Sequence, residues 1–192
     1  MIDINKLGDK VKGLVSTLPE DVGRARLVAT YVSLRKAYDL GYRKDVFRQM
    51  RQRERDIYLQ ELVAQSPFEY EDAEGKTPKG SWLAGYYFNN ALLRIAALAE
   101  ISLKCLFEQH TGFESPRNYR WLADWYEKEF STKITNLDRT RQEINVFKHE
   151  HPRRRQRKLE TIEEGLAAFS ELLEVMNHVA SNYRLQLTAR HR

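Results

Sequence analysis

The stretch LETIEEGLAAFSELLEVMNHVASNYRLQL, residues 159–187, decides the fold. Leu159, Ile162, Leu166, Phe169, Leu173, Met176, Ala180, Tyr183 and Leu187 recur along it at steps of three and four, the repeat that gathers side chains into one stripe of an α-helix. An apolar stripe of this length must be covered by other elements, and the chain on its N-terminal side reads as more helices. One is expected over about Asn136–Glu150. A short aromatic one spans about Asn118–Phe130 and brings Trp121, Trp125 and Tyr126 to the edge of the core. Before the turn around Gly112 and Pro116, a long helix capped by Ser81 carries Phe88, Leu92, Ile95, Ala99, Leu103 and Leu106 on its core face, with Asn89, Asn90, Glu100 and Lys104 on the opposite arc.

Further toward the N-terminus the pattern is thinner. A helix over about Glu20–Leu40 has Leu27, Tyr31, Leu34 and Tyr38 on one stripe and Gly41 to stop it. Another, about Lys44–Gln65, has only Phe47, Met50, Ile57 and Ala64 as its stripe. Arg48, Arg51, Arg53 and Arg55 crowd its other faces, which suits an arm or a helix lying over a protein partner. Ser66 to Gly80 mixes four carboxylates with Pro67, Gly75, Pro78 and Gly80, the composition of an acidic loop. No alternating β-branched run competes with these helices. The expected fold is all-α, an antiparallel helical bundle over residues 82–192, with residues 1–81 an N-terminal helical extension carrying the acidic loop, or the two together one continuous domain.

Composition removes several classes of function. The 192 residues hold 32 Lys+Arg against 27 Asp+Glu, a formal charge of +5, and 42% hydrophobic residues, enough for a core. Cys105 is the single cysteine, so neither a disulfide framework nor a cysteine-rich zinc site can form, and a cytoplasmic compartment is the expectation. The apolar run from Trp82 to Phe107 is broken by Asn89, Asn90, Arg94, Glu100 and Lys104, which argues against a membrane span. Asp3, Asp9 and Glu20 argue against an export signal. His149, His151 and His178 lack the spacing of a di-iron bundle, so no metal and no cofactor is expected. Cys105 reads as a buried thiol.

The densest charge lies between Arg139 and Lys158. Arg139, Arg141, Lys148, Arg153, Arg154, Arg155, Arg157 and Lys158 are eight cations against Glu143 and Glu150, a local balance of +6. Such a run attracts phosphate by releasing counterions, without reading bases; it also fits a solvated loop between helices. Within it Arg141, Asn145 and His149 stand at steps of four, on one slowly drifting helical stripe, while Ile144 and Phe147 would face the bundle. A histidine can move a proton near neutrality and a guanidinium can steady charge on a phosphate, the chemistry of metal-independent RNA cleavage. Spacing alone favours reading the same stripe as a helix end whose dipole favours the His149 cation, with Asn145 bonded to a neighbouring helix.

Phe88 to Gly112, an alanine-rich run leading to Glu100, three residues, then Lys104, resembles the second helix of HEPN domains, the higher-eukaryote and prokaryote nucleotide-binding family. Arg141-Gln-Glu-Ile-Asn145-Val-Phe-Lys148-His149 resembles their third-helix motif. Seven residues separate Arg141 from His149, one more than in the family's pattern, and Ile144 stands where the family has its arginine. The resemblance covers roughly Trp82 to Leu187. It implies an RNA-binding homodimer with third helices facing, in which His149 serves as general acid and base and Arg141 steadies the phosphate. RNA would be cut through its ribose 2′-hydroxyl without a metal, in a stress, defence or toxin setting. The departures from the motif leave a second reading open, a non-catalytic helical module that binds nucleic acid or an acidic protein partner. Arg94 and Arg139 are the other arginines that could stand in spatially for the absent one.

Overall fold

A computed structural model describes the backbone of residues 2–18, 23–39, 80–149 and 161–190, and the side chains of all of these except 80–84, 86, 143–149 and 184–190. Among them are six helices and no strand: α1 (Ile4–Val15), α2 (Arg24–Asp39), α3 (Gly80–Thr111), α4 (Tyr119–Phe130), α5 (Thr135–His149) and α6 (Ile162–Arg190). The fold is an all-α helical bundle, as the periodicity predicts. The helix expected over Lys44–Gln65, the acidic loop up to residue 79, Leu159, and the cations Arg153, Arg154, Arg155, Arg157 and Lys158 lie outside the described residues.

Helix α3 is the hub, packed against α2, α4, α5 and α6. Its expected face, Phe88, Leu92, Ile95, Ala99, Leu103 and Leu106, is buried throughout. So are Ala91, Ala96, Leu98 and Ser102, because neighbours cover it on more than one side. It begins at Gly80, one residue before Ser81, so the expected cap lies inside the first turn. It ends at Gly112, whose φ of +74° is the left-handed conformation that terminates a helix at little cost for glycine. From α6, Leu166, Phe169, Leu173, Met176 and Ala180 enter the same core. Each fully buried leucine or phenylalanine here contributes about 1.5–3 kcal/mol relative to exposure.

Two elements depart from expectation. Helix α1 lies in a region read only for the signals it lacks. Ile4, Leu7, Val11 and Leu14 are buried against α2 and α6, and the Asp3 carboxylate caps the helix by accepting from the Asn5 N–H at 2.9 Å. In α2 the face turned inward is Leu27, Thr30, Ser33, Leu34 and Ala37, so Tyr38 is 42% exposed and Tyr31 sits at the core edge. Small residues at 30, 33 and 37 let α2 lie close along α3. The Thr30 hydroxyl is satisfied inside the helix by the Arg26 carbonyl at 2.6 Å.

The remaining helix starts are fixed by side chains. The Asn118 carbonyl accepts from the Arg120 and Trp121 N–H groups at the head of α4. Thr161 and Glu164 form a reciprocal capping box at the head of α6, with bonds of 3.2 and 3.3 Å. The start of α5 is served from across the core: Glu171 of α6 accepts from the Leu137 N–H at 2.8 Å, the Asn136 N–H at 3.3 Å and the Asn136 side-chain amide at 2.8 Å. Burial raises the Glu171 pKa above the ordinary carboxyl value, and these three donors act in the opposite direction. Among the described residues no helix is long and apolar enough to cross a membrane.

Candidate nucleic-acid interface and a polar cleft

Helix α5 runs unbroken from Thr135 to His149, so Arg141, Asn145 and His149 do follow one another on a continuous helix. The side chains of Asn145, Lys148 and His149 lie outside the described residues, as does the segment carrying Arg153, Arg154, Arg155, Arg157 and Lys158. Of the sequence-predicted site, Arg141 is therefore the residue whose surroundings are defined. Its guanidinium carbon stands 4.1 Å from the ring centroid of Tyr119, over the aromatic face. Tyr119 opens α4, is 2% exposed, and its hydroxyl has no hydrogen-bond partner among the described residues. Burial holds that hydroxyl far above the ordinary phenol range, so the ring is a neutral platform at any physiological pH. A cation over such a face is held by about 0.5–2 kcal/mol, and none of the Arg141 N–H groups donates a hydrogen bond among the described residues.

The other arginines weighed from the sequence are differently placed. Arg139 pairs with Glu164 at 3.0 Å, which ties α5 to the capping box of α6. Arg94 donates to the Ser33 hydroxyl at 2.7 Å and the Ala29 carbonyl at 3.2 Å, which ties α3 to α2. Both do structural work inside the bundle, and Arg94 reaches into the α2 side rather than toward α5. Arg120, exposed near the Tyr119 platform, is shared between Asp124 at 3.1 Å and Asp138 at 2.9 Å. Glu100 and Lys104, the motif pair of the HEPN resemblance, form an ion pair at 2.8 Å.

The aromatic helix is split in its allegiance. Tyr126 is fully buried and Trp125 half-buried, both near Phe130, but Trp121 is 47% exposed and meets Phe107 edge-on at 5.4 Å. Cys105 is half-buried beside the core. No group of three or more His, Cys, Asp or Glu among the described residues is arranged to hold a metal ion.

A second feature escaped the sequence altogether. A polar cleft of about 530 Å³ opens between α1 and α6, walled by Lys10 and Gly13, by Thr17 just beyond α1, by Thr132, and by Glu174 and His178. His178 is fixed on two sides: its ring stacks on Phe130 at 4.4 Å, and its Nδ1 is 3.0 Å from the Tyr126 hydroxyl. Burial lowers the His178 pKa below the ordinary imidazole value, with Glu174 opposing. Residues 10, 132 and 178 are too far apart in the chain for any local pattern to have linked them. Compared with models of protein families, with curated proteins and with solved structures, the chain matches none.

Proposed function

We propose that this chain is an RNA-binding helical bundle that grips the phosphate backbone through the basic run beginning at Arg139 on α5 and ending at Lys158. The observation that carries this reading is Arg141, held over the buried Tyr119 ring with its N–H groups uncommitted among the described residues, near the head of a stretch with eight cations and two carboxylates. A guanidinium pinned by its face loses less rotamer freedom when its fork meets a phosphate than a free one does. Arg139 and Arg94 are already spent on Glu164 and on α2, so of the three arginines weighed from the sequence Arg141 is the one left for an anion.

The test is fluorescence anisotropy with an unstructured RNA oligonucleotide across a salt series. For single strands, log K falls against log salt with a slope of about −0.7 per neutralised phosphate. Arg141→Ala is expected to weaken binding and flatten the slope by about one such contact, and Arg153→Gln with Arg154→Gln and Arg155→Gln by about three. No binding at low salt, or slopes unchanged in both variants, would end the proposal.

A second reading is favoured by the continuity of α5 through His149. In it the bound RNA is cut without a metal: a homodimer pairs two copies of α5, His149 moves the proton of the attacking ribose 2′-hydroxyl, and Arg141 steadies the phosphate. His149→Ala is expected to abolish cleavage while circular dichroism and RNA affinity are kept. Intact single-stranded RNA after incubation with the wild-type chain leaves the binding module alone standing.

A further inference from the structure

The geometry points to the cleft between α1 and α6 as a binding site for a small zwitterion of the free amino-acid class, its ammonium on Glu174 and its carboxylate between Lys10 and His178. This inference does not depend on the RNA reading, since the cleft involves none of the residues of the basic run.

The first argument is the charge of the walls. Lys10 on α1 and Glu174 on α6 face one cleft of about 530 Å³, a size within the usual range of small-molecule sites. A plain anion there would meet the Glu174 carboxylate and a plain cation the Lys10 ammonium, whereas a molecule bearing both charges satisfies both. Leu14 and Leu173 supply apolar wall for an aliphatic part.

The second argument is the orientation of His178. The Tyr126 hydroxyl is buried, and its one hydrogen-bond partner among the described residues is His178 Nδ1, at 3.0 Å. Were Nδ1 to carry the proton, the phenol hydrogen would be left unsatisfied in the core, so Tyr126 donates and Nδ1 accepts. That assigns the ring proton to Nε2. Because Nδ1 is turned inward to a buried residue and the ring lines the cleft, the Nε2–H edge is the one left to serve a ligand oxygen. Thr17 and Thr132 add to the same picture, since their hydroxyl hydrogens are given to the Gly13, Leu14 and Phe130 carbonyls and both oxygens are left as acceptors for an ammonium.

The third argument is Gly13. It lies in the last turn of α1, where glycine is disfavoured by about 1 kcal/mol relative to alanine. A Cβ built there meets nothing within 4 Å, and its φ is not positive, so neither packing nor backbone conformation requires glycine. Gly13 lines the cleft, so the α1 wall carries no side chain at that position.

The experiment uses the purified full chain with free L-amino acids, tested singly by thermal shift and titration calorimetry. At least one is expected to bind, and its N-acetyl derivative and its decarboxylated amine, each lacking one charge, to bind at least about tenfold more weakly. Glu174→Gln and Lys10→Met should each cost a similar factor. Gly13→Leu should abolish binding while the circular-dichroism spectrum is kept, and Gly13→Ala, which has room for its methyl, serves as the control that folds. No amino acid binding at millimolar concentration, equal binding by the singly charged derivatives, or binding of adenosine monophosphate in their place would overturn the assignment.

Discussion

Tyr126 and His178 show how much a single pair can settle. The phenol lies in the core, the imidazole is half-buried, and each limits the other's protonation. Tyr126→Phe removes the donor while keeping the ring, leaving Nδ1 of His178 unpaired; the expected loss, read by urea unfolding, is about 1 kcal/mol. The pH dependence has a definite sign. Burial depresses the His178 pKa, so its stabilising contribution is fully present above the ordinary imidazole value of about 6.5 and is lost as pH falls through the depressed one. Glu174 pulls the other way, so Glu174→Gln should move the imidazole titration, followed by NMR, to still lower pH; an upward move contradicts the assignment. At this scale the sequence offered Arg141 by type and spacing, but not the Tyr119 ring beneath it. Tyr119 carries no sign of burial in a segment where Trp121 is the more conspicuous aromatic, and Trp121 turns out half-exposed.

The helices differ in how readily their sequences disclose them, and the cause is how much of each is covered. Helices α3 and α6 are covered over long stretches, so their stripes stand out. Helix α2 shows the limit of the method: Tyr31 and Tyr38 suggest one face, yet Thr30, Ser33 and Ala37 are the residues that go inward, since close approach to α3 favours small side chains over large ones. In α1 the stripe is clear in retrospect, but Gly8 and Gly13 and the many charged residues disguise it. Gly8 is a close-approach glycine, because a Cβ there would collide with the Tyr31 side chain. Gly165 is another: a Cβ would lie 2.5 Å from Cε2 of Phe88, which is buried and cannot yield. Two substitutions of identical chemistry should therefore act in opposite directions. Gly165→Ala is expected to destabilise by about 1–3 kcal/mol through overpacking of α6 on α3, and Gly13→Ala to stabilise by up to about 1 kcal/mol, both measured as shifts in the unfolding midpoint. Equal shifts would mean that the approach of α6 to Phe88 is not as tight as described.

Across the whole molecule, α1 and α2 contribute to the same buried cluster as the four later helices, with Leu7, Leu27 and Leu34 in it beside Phe88 and Phe169. Leu7→Ala is expected to cost about 2–5 kcal/mol and to lower the midpoints seen by far-ultraviolet circular dichroism and by tryptophan fluorescence together. Separate midpoints would show α1 melting on its own. Helical content, the two long stripes, the net charge of +5 and the basic run from Arg139 to Lys158 were determined by the sequence alone, because helical hydrogen bonds, periodicity and composition are properties of neighbouring residues. Tertiary structure alone decided that Glu171 serves the start of α5, that Tyr119 lies under Arg141, and that Lys10, Glu174 and His178 share one cleft. Those meetings depend on which helix faces pack together and how closely, and packing distance is set by the summed shapes of side chains remote in the chain, which no local pattern encodes.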